Sequence, residues 1–72
     1  MEKMVKIHSE YITLNQLLKL VALLSFGAEA KSFLKSTKVL VNNQVENRRG
    51  RKLFVGDVIE INNIKYLIKE DK

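Results

Sequence analysis

The sequence predicts an α+β fold in which two short helices pack on a small, mainly antiparallel sheet. Three observations carry that prediction. A leucine stripe with a capping pair ahead of it marks a helix in the first third of the chain, and a second helical pattern follows it. Two Asn-Asn pairs, each set between apolar runs, mark hairpins in the second half. The 72 residues include no proline, so neither pattern is interrupted.

In chain order, residues 4–8 (Met4-Val5-Lys6-Ile7-His8) alternate apolar and polar, as an edge strand would. His8 falls on the same wet face as Lys6 and is assigned no role. Thr13 opens the first helix, with Gln16 at capping-box spacing. Leu14, Leu17, Leu18 and Val21 then form the inward stripe, opposite Asn15, Gln16 and Lys19. The run Leu20 to Leu24 is apolar nearly all round and is expected to be buried on more than one face. Ser25-Phe26-Gly27 breaks the helix. A second helix over about 28–36 turns Ala30, Phe33 and Leu34 inward, leaving Lys31 and Lys35 on one outer face and Lys38 just past its end. A hairpin over 39–46 turns at Asn42-Asn43, and Leu53-Phe54-Val55 leads into a Gly56-Asp57 turn. Strands at 58–61 and 64–68 are joined through Asn62-Asn63, and the charged tail from Lys69 is expected to fray.

Size and composition exclude several function classes. A chain this short hides only about 60% of its unfolded surface, which leaves little room for a deep catalytic cleft. Cysteine is absent, which removes thiol nucleophiles and thiolate metal sites, and a single histidine makes no zinc cluster. No cofactor and no enzymatic activity are expected, because no acid–base or nucleophile pair can be assembled; Asp57, the one carboxylate in a special place, reads as a turn former. The longest apolar run is far short of the ~20 residues that span a bilayer, and no signal-peptide core precedes it, so a cytoplasmic protein is expected.

Charge supplies the positive evidence. The formal net charge is +5, and all of the excess lies in one third of the chain. Residues 31–52 carry Lys31, Lys35, Lys38, Arg48, Arg49, Arg51 and Lys52 against Glu46. In Asn47-Arg48-Arg49-Gly50-Arg51-Lys52, four cations surround one glycine, leaving the backbone open between guanidinium forks that can each hold a phosphate by two hydrogen bonds. Asn47, with Asn42 and Asn43 from the hairpin, can add uncharged donors. The bland reading of Lys31 and Lys35 is that they offset a helix dipole; beside the loop they extend its positive field. Structured RNA fits better than DNA, because no basic helix is periodic enough for a major groove. No aromatic pair on a strand offers a stacking platform for single strands, and Phe26 and Phe54 read as core. The rival reading is a protein adaptor that uses the basic face or the N-terminal edge strand.

The order of helix, turn, Ala30, Phe33-Leu34, Val39-Leu40-Val41-Asn42-Asn43-Gln44-Val45 and Val55-Gly56-Asp57-Val58-Ile59 resembles the RNA-binding domain named after small-subunit ribosomal protein S-four, also called the alpha-L motif. Within that family the added Glu46 to Lys52 segment resembles the small stand-alone bacterial branch, the YaaA-like proteins. The resemblance covers about residues 12–61 and implies one domain over 1–72. It also implies binding of structured RNA, often ribosomal or on an assembling ribosome, through the second helix and the hairpin loop. Ribosomal proteins are then secondary partners, and neither a membrane nor a small-molecule substrate is expected. Four positions depart from the family pattern. Phe26-Gly27 stands where Ser-Arg is common, Thr37 replaces a glycine before the hairpin, and Asn43 replaces the turn glycine. Lys31 and Lys35 are the expected substitutes for the missing arginine.

Overall fold

A computed structural model describes residues 2–21 and 30–71 of the chain. The elements are β1 (Glu2–Ile7), β2 (Tyr11–Thr13), α1 (Leu14–Leu20), α2 (Ala30–Ser36), β3 (Val39–Val41), β4 (Gln44–Val45), β5 (Lys52–Phe54), β6 (Val58–Ile61) and β7 (Ile64–Glu70). Five strands form a mixed sheet in the order β1-β7-β6-β3-β4, antiparallel except for β1 against β7. The predicted α+β architecture is therefore the observed one, and β1 is an edge strand. A second sheet pairs β2 with β5.

Local chemistry explains the turns. Asn42 and Asn43 take φ of 51° and 69°, and Asn62 and Asn63 take 51° and 67°. Consecutive left-handed residues make the type I′ geometry whose twist matches two-residue hairpins, and asparagine tolerates it best after glycine. Gly56, at φ 98°, closes the next turn, where Asp57 Oδ2 accepts the Phe54 N–H at 2.8 Å. The Thr13–Gln16 capping box is present: Thr13 Oγ1 accepts the Gln16 N–H at 3.2 Å and Gln16 Oε1 accepts the Thr13 N–H at 2.8 Å. Helix α1 then runs to a C-cap at Val21.

One face of the main sheet supplies Ile7, Val39, Val41, Ile59, Ile61, Tyr66 and Ile68 to the core, in the alternation expected of a half-buried sheet. Leu14, Leu17 and Leu18 of α1 and Ala30 and Leu34 of α2 join the same cluster, with Phe33 packed at its edge.

Three expectations need correction, and one strand goes beyond them. The tail does not fray at Lys69, because β7 continues to Glu70 on the parallel ladder offered by β1, and the Asp71 N–H donates to the Ile7 carbonyl at 3.0 Å. His8 lies beyond β1 and contacts Asp71 at 3.0 Å. Leu20 is exposed, since it sits at the flank of the leucine stripe rather than on it. Strand β2 was not expected; three residues are too few to show a period, and their partner lies far along the chain. Helix α1 ends at Leu20 with its cap at Val21, short of the predicted break; Ser25-Phe26-Gly27 and residues 22–24 of the apolar run lie outside the described residues.

Candidate nucleic-acid interface

The basic loop is held at both ends. Where it leaves the hairpin, the Glu46 N–H donates to the Val39 carbonyl at 2.9 Å, which sets its first residues beside Lys38. It then makes a tight turn centred on Arg49-Gly50, closed by Arg51 N–H to the Arg48 carbonyl at 3.2 Å. The carbonyl of Arg49 accepts the Asn15 N–H and that of Arg51 accepts the Leu14 N–H, both at 2.9 Å. The first N–H groups of a helix have no partner inside the helix. Here the loop backbone supplies one for Leu14 and Asn15, so loop and α1 fix each other. Lys52 then enters β5, opposite Thr13 of β2.

Under the loop lies Glu46, a carboxylate only 6% exposed. It accepts the Arg48 N–H at 3.0 Å, Arg48 Nε at 2.9 Å and Nη2 at 3.2 Å, and Arg51 Nη1 at 2.7 Å. Hydrogen bonding from Arg48, helped by Arg51, outweighs desolvation and holds the Glu46 carboxyl down at about 2. A guanidinium has five N–H donors, so neither arginine is exhausted by this clamp. The Arg48 side chain stays 73% exposed and that of Arg51 35% exposed. Glu46 thus cancels one charge and orients two others.

Arg48, Gly50, Arg51, Lys52, Phe54 and Asp57 line an open cleft of about 480 Å³. Arg49 stands exposed at the turn, with no side-chain partner among the described residues. Adding a Cβ at Gly50 would meet nothing within 4 Å, so the fold does not require glycine there and the bare backbone simply faces the cleft.

The two asparagines of the hairpin behave differently. The Asn42 amide is engaged within the fold, donating to Asp57 Oδ1 at 3.1 Å and accepting the Val58 N–H at 3.0 Å, whereas Asn43 is exposed at the tip. Asp57 is the turn former expected, both oxygens being occupied. Asn47 is exposed at the start of the loop. Lys31 and Lys35 are exposed on α2, flanking buried Ala30 and Leu34. Lys38 lines a separate groove with Leu40, Glu60, Asn62 and Asn63. The structure therefore gathers Arg48, Arg51 and Lys52 in one cleft with Arg49 at its turn, and sets Lys38 next to the loop's entrance.

Two features of the site are not apparent from residue pattern. Glu46 read as a lone offset to the cations, although its spacing to Arg48 and Arg51 within one turn could have suggested the clamp. No strand carries an aromatic pair, and Phe54 reads from the sequence as core. Phe54 is instead 42% exposed and stands opposite Tyr11, which is 36% exposed, across the β2–β5 pair. Their ring centroids lie 5.7 Å apart at 48°, and Lys52 Nζ sits 4.9 Å from the centre of the Tyr11 ring. The pair was hidden because its members come from two strands rather than one.

A mixed sheet backed by helices, with a cationic loop docked on the first helix, defines a small α+β module with one basic face. The family model for the S4 domain matches residues 5–69. The chain is also 54% identical over 57 residues to the probable ribosome maturation protein RlbA of Bacillus subtilis (strain 168), covering 79% of this chain and 80% of that protein. The chain belongs to the S4 domain family of RNA-binding domains.

Proposed function

We propose that this protein is a non-enzymatic binder of structured RNA, acting in the cytoplasm on ribosomal RNA or an assembling ribosome. The observation that carries the reading is the loop itself: four cations around an open turn whose backbone is bonded to α1 and whose Arg48 and Arg51 side chains are held by a buried carboxylate. Fixed donors lose less entropy on binding than mobile ones. Family membership supports RNA as the ligand, and the relative named as a probable ribosome maturation protein supports a ribosomal setting. Arg49 and Lys52, with the outward donors of Arg48 and Arg51, grip phosphates. Lys38, Lys35, Lys31 and Asn47 extend the surface, and Asn43 offers a donor at the hairpin tip. Asn42 contributes by holding the turn rather than by touching RNA.

The Glu46 clamp decides how this is tested. Reversing Arg48 or Arg51 would set a second carboxylate against Glu46 and disrupt the loop, so loss of binding would be ambiguous. Arg49→Glu combined with Lys52→Glu leaves the clamp intact. Filter binding to ribosomal RNA fragments is expected to weaken at least tenfold, with the circular dichroism spectrum unchanged. Parental affinity in that double variant would refute the loop assignment.

A further inference from the structure

Outside the phosphate-gripping loop, the least expected feature of the surface is the aromatic pair. Strand alternation sends Ile12 and Leu53 into the core, at 8% and 0% exposure, and so turns their neighbours Tyr11 and Phe54 outward together. Val55, next to Phe54, is 49% exposed and widens the patch. Nothing in the packing requires two large rings here, since the core beneath is closed by the intervening aliphatic residues. Contiguous apolar surface kept in water is a mark of a binding site. This patch adjoins the cations: Lys52 lies against the Tyr11 ring, and Phe54 shares the cleft with Arg48 and Arg51.

We propose that the Tyr11–Phe54 pair is a stacking platform for one unpaired nucleobase of the bound RNA. This rests on the RNA-binding reading above and deepens it by naming what the cleft holds. The chemistry suits a nucleotide on three counts. Every base has a π-face, so a ring platform accepts it without regard to sequence. A base lying on Phe54 places its own phosphate toward the guanidinium and ammonium groups that line the same cleft. The volume of about 480 Å³ falls within the roughly 300–1,000 Å³ of small-ligand clefts. Asp57 at the rim has both oxygens engaged, accepting from Phe54 and Asn42, and its single charge is outnumbered by those of Arg48, Arg51 and Lys52 in the same cleft. A purely paired helix offers no exposed base face, so the platform selects RNA with a bulge, a flipped base or a strand end beside a stem.

The test compares a blunt RNA duplex carrying a single bulged adenosine with the same duplex fully paired, at low salt. The protein is expected to prefer the bulged duplex. Phe54→Leu and Tyr11→Leu should each weaken binding to it by about five- to a hundredfold while changing affinity for the paired duplex less than twofold. Phe54→Trp gives the chain its sole indole, since the sequence contains no tryptophan. It should retain the preference, and its emission should be quenched by the bulged duplex but not by the paired one. Equal binding of both duplexes by the parent and the leucine variants, with an unquenched indole, would overturn the platform and leave RNA binding standing. Binding of neither duplex would overturn both. Should a leucine variant fail to fold, the tryptophan readout decides. If an aromatic peptide alone quenches that indole, the patch belongs to a protein partner and the proposal falls.

Discussion

Glu46 is the residue whose chemistry the loop depends on, and its titration gives a direct check. Its carboxyl is held at about 2 against an ordinary 4.5. The depressed value means that the clamp stabilises the fold fully above pH 4.5 and that this contribution is lost as pH falls toward 2. The lowering would correspond to about 3 kcal/mol in full, but Arg48 is largely in water, so roughly 1–3 kcal/mol is expected. Thermal melts across that pH range should show the parent losing stability relative to Glu46→Gln, with the two curves converging at the acid end. The same variant separates positioning from charge in RNA binding. It adds one unit of positive charge, yet it frees two arginines that the carboxylate had oriented. If orientation matters more, affinity falls despite the gain in charge, and measuring the Kd decides between the two. Two glycines provide a second contrast. Gly56 has φ 98° and Gly50 has open space around it. Gly56→Ala is therefore expected to cost about 1–3 kcal/mol, while Gly50→Ala should leave the melting temperature nearly unchanged.

Between elements, the main coupling is that of α1 to the loop. Thr13 caps the helix by its side chain and pairs with Lys52 across β2 and β5, while the next two backbone N–H groups hold Arg51 and Arg49. Thr13→Ala should cost about 0.5–2 kcal/mol through the lost cap. Hydrogen exchange at Leu14 and Asn15 should rise more than at Leu17 or Leu18, and RNA affinity should fall although no cation has been touched. Unchanged exchange at those two amides would mean that the loop does not depend on the cap. This coupling also shows which features could be read from the chain. Thr13 with Gln16, and each Asn-Asn pair, decide their own conformation within four residues, so cap and hairpins were legible. Strands β2 and β5 exist only because they meet each other, and neither carries a local period. The outward pair of Tyr11 and Phe54 follows from that meeting, and the burial of Glu46 follows from where the loop docks. Both are tertiary facts, and residue pattern alone gave no access to them.

Across the whole molecule, net charge of +5 is less informative than its distribution, because an affinity for phosphate depends on the field at the cleft. Arg48, Arg49, Arg51 and Lys52 would engage four phosphates if each acted alone. Glu46 removes about one of those charges through the clamp, and Lys38 has Glu60 beside it in its groove. About three neutralised phosphates remain, for which log K should fall with log salt at a slope of roughly −3. Titrations of a ribosomal RNA fragment at several salt concentrations measure this slope. Arg49→Gln should make it shallower by about one, because Arg49 is exposed and has no side-chain partner among the described residues. Phe54→Leu should lower affinity at every salt concentration and leave the slope as it was, since stacking releases no counterions. Parallel lines for Phe54→Leu and a flatter line for Arg49→Gln would separate the two halves of the interface in one experiment. A parental slope near zero would mean that phosphate contacts do not drive binding, and the cationic loop would then lose its assigned role.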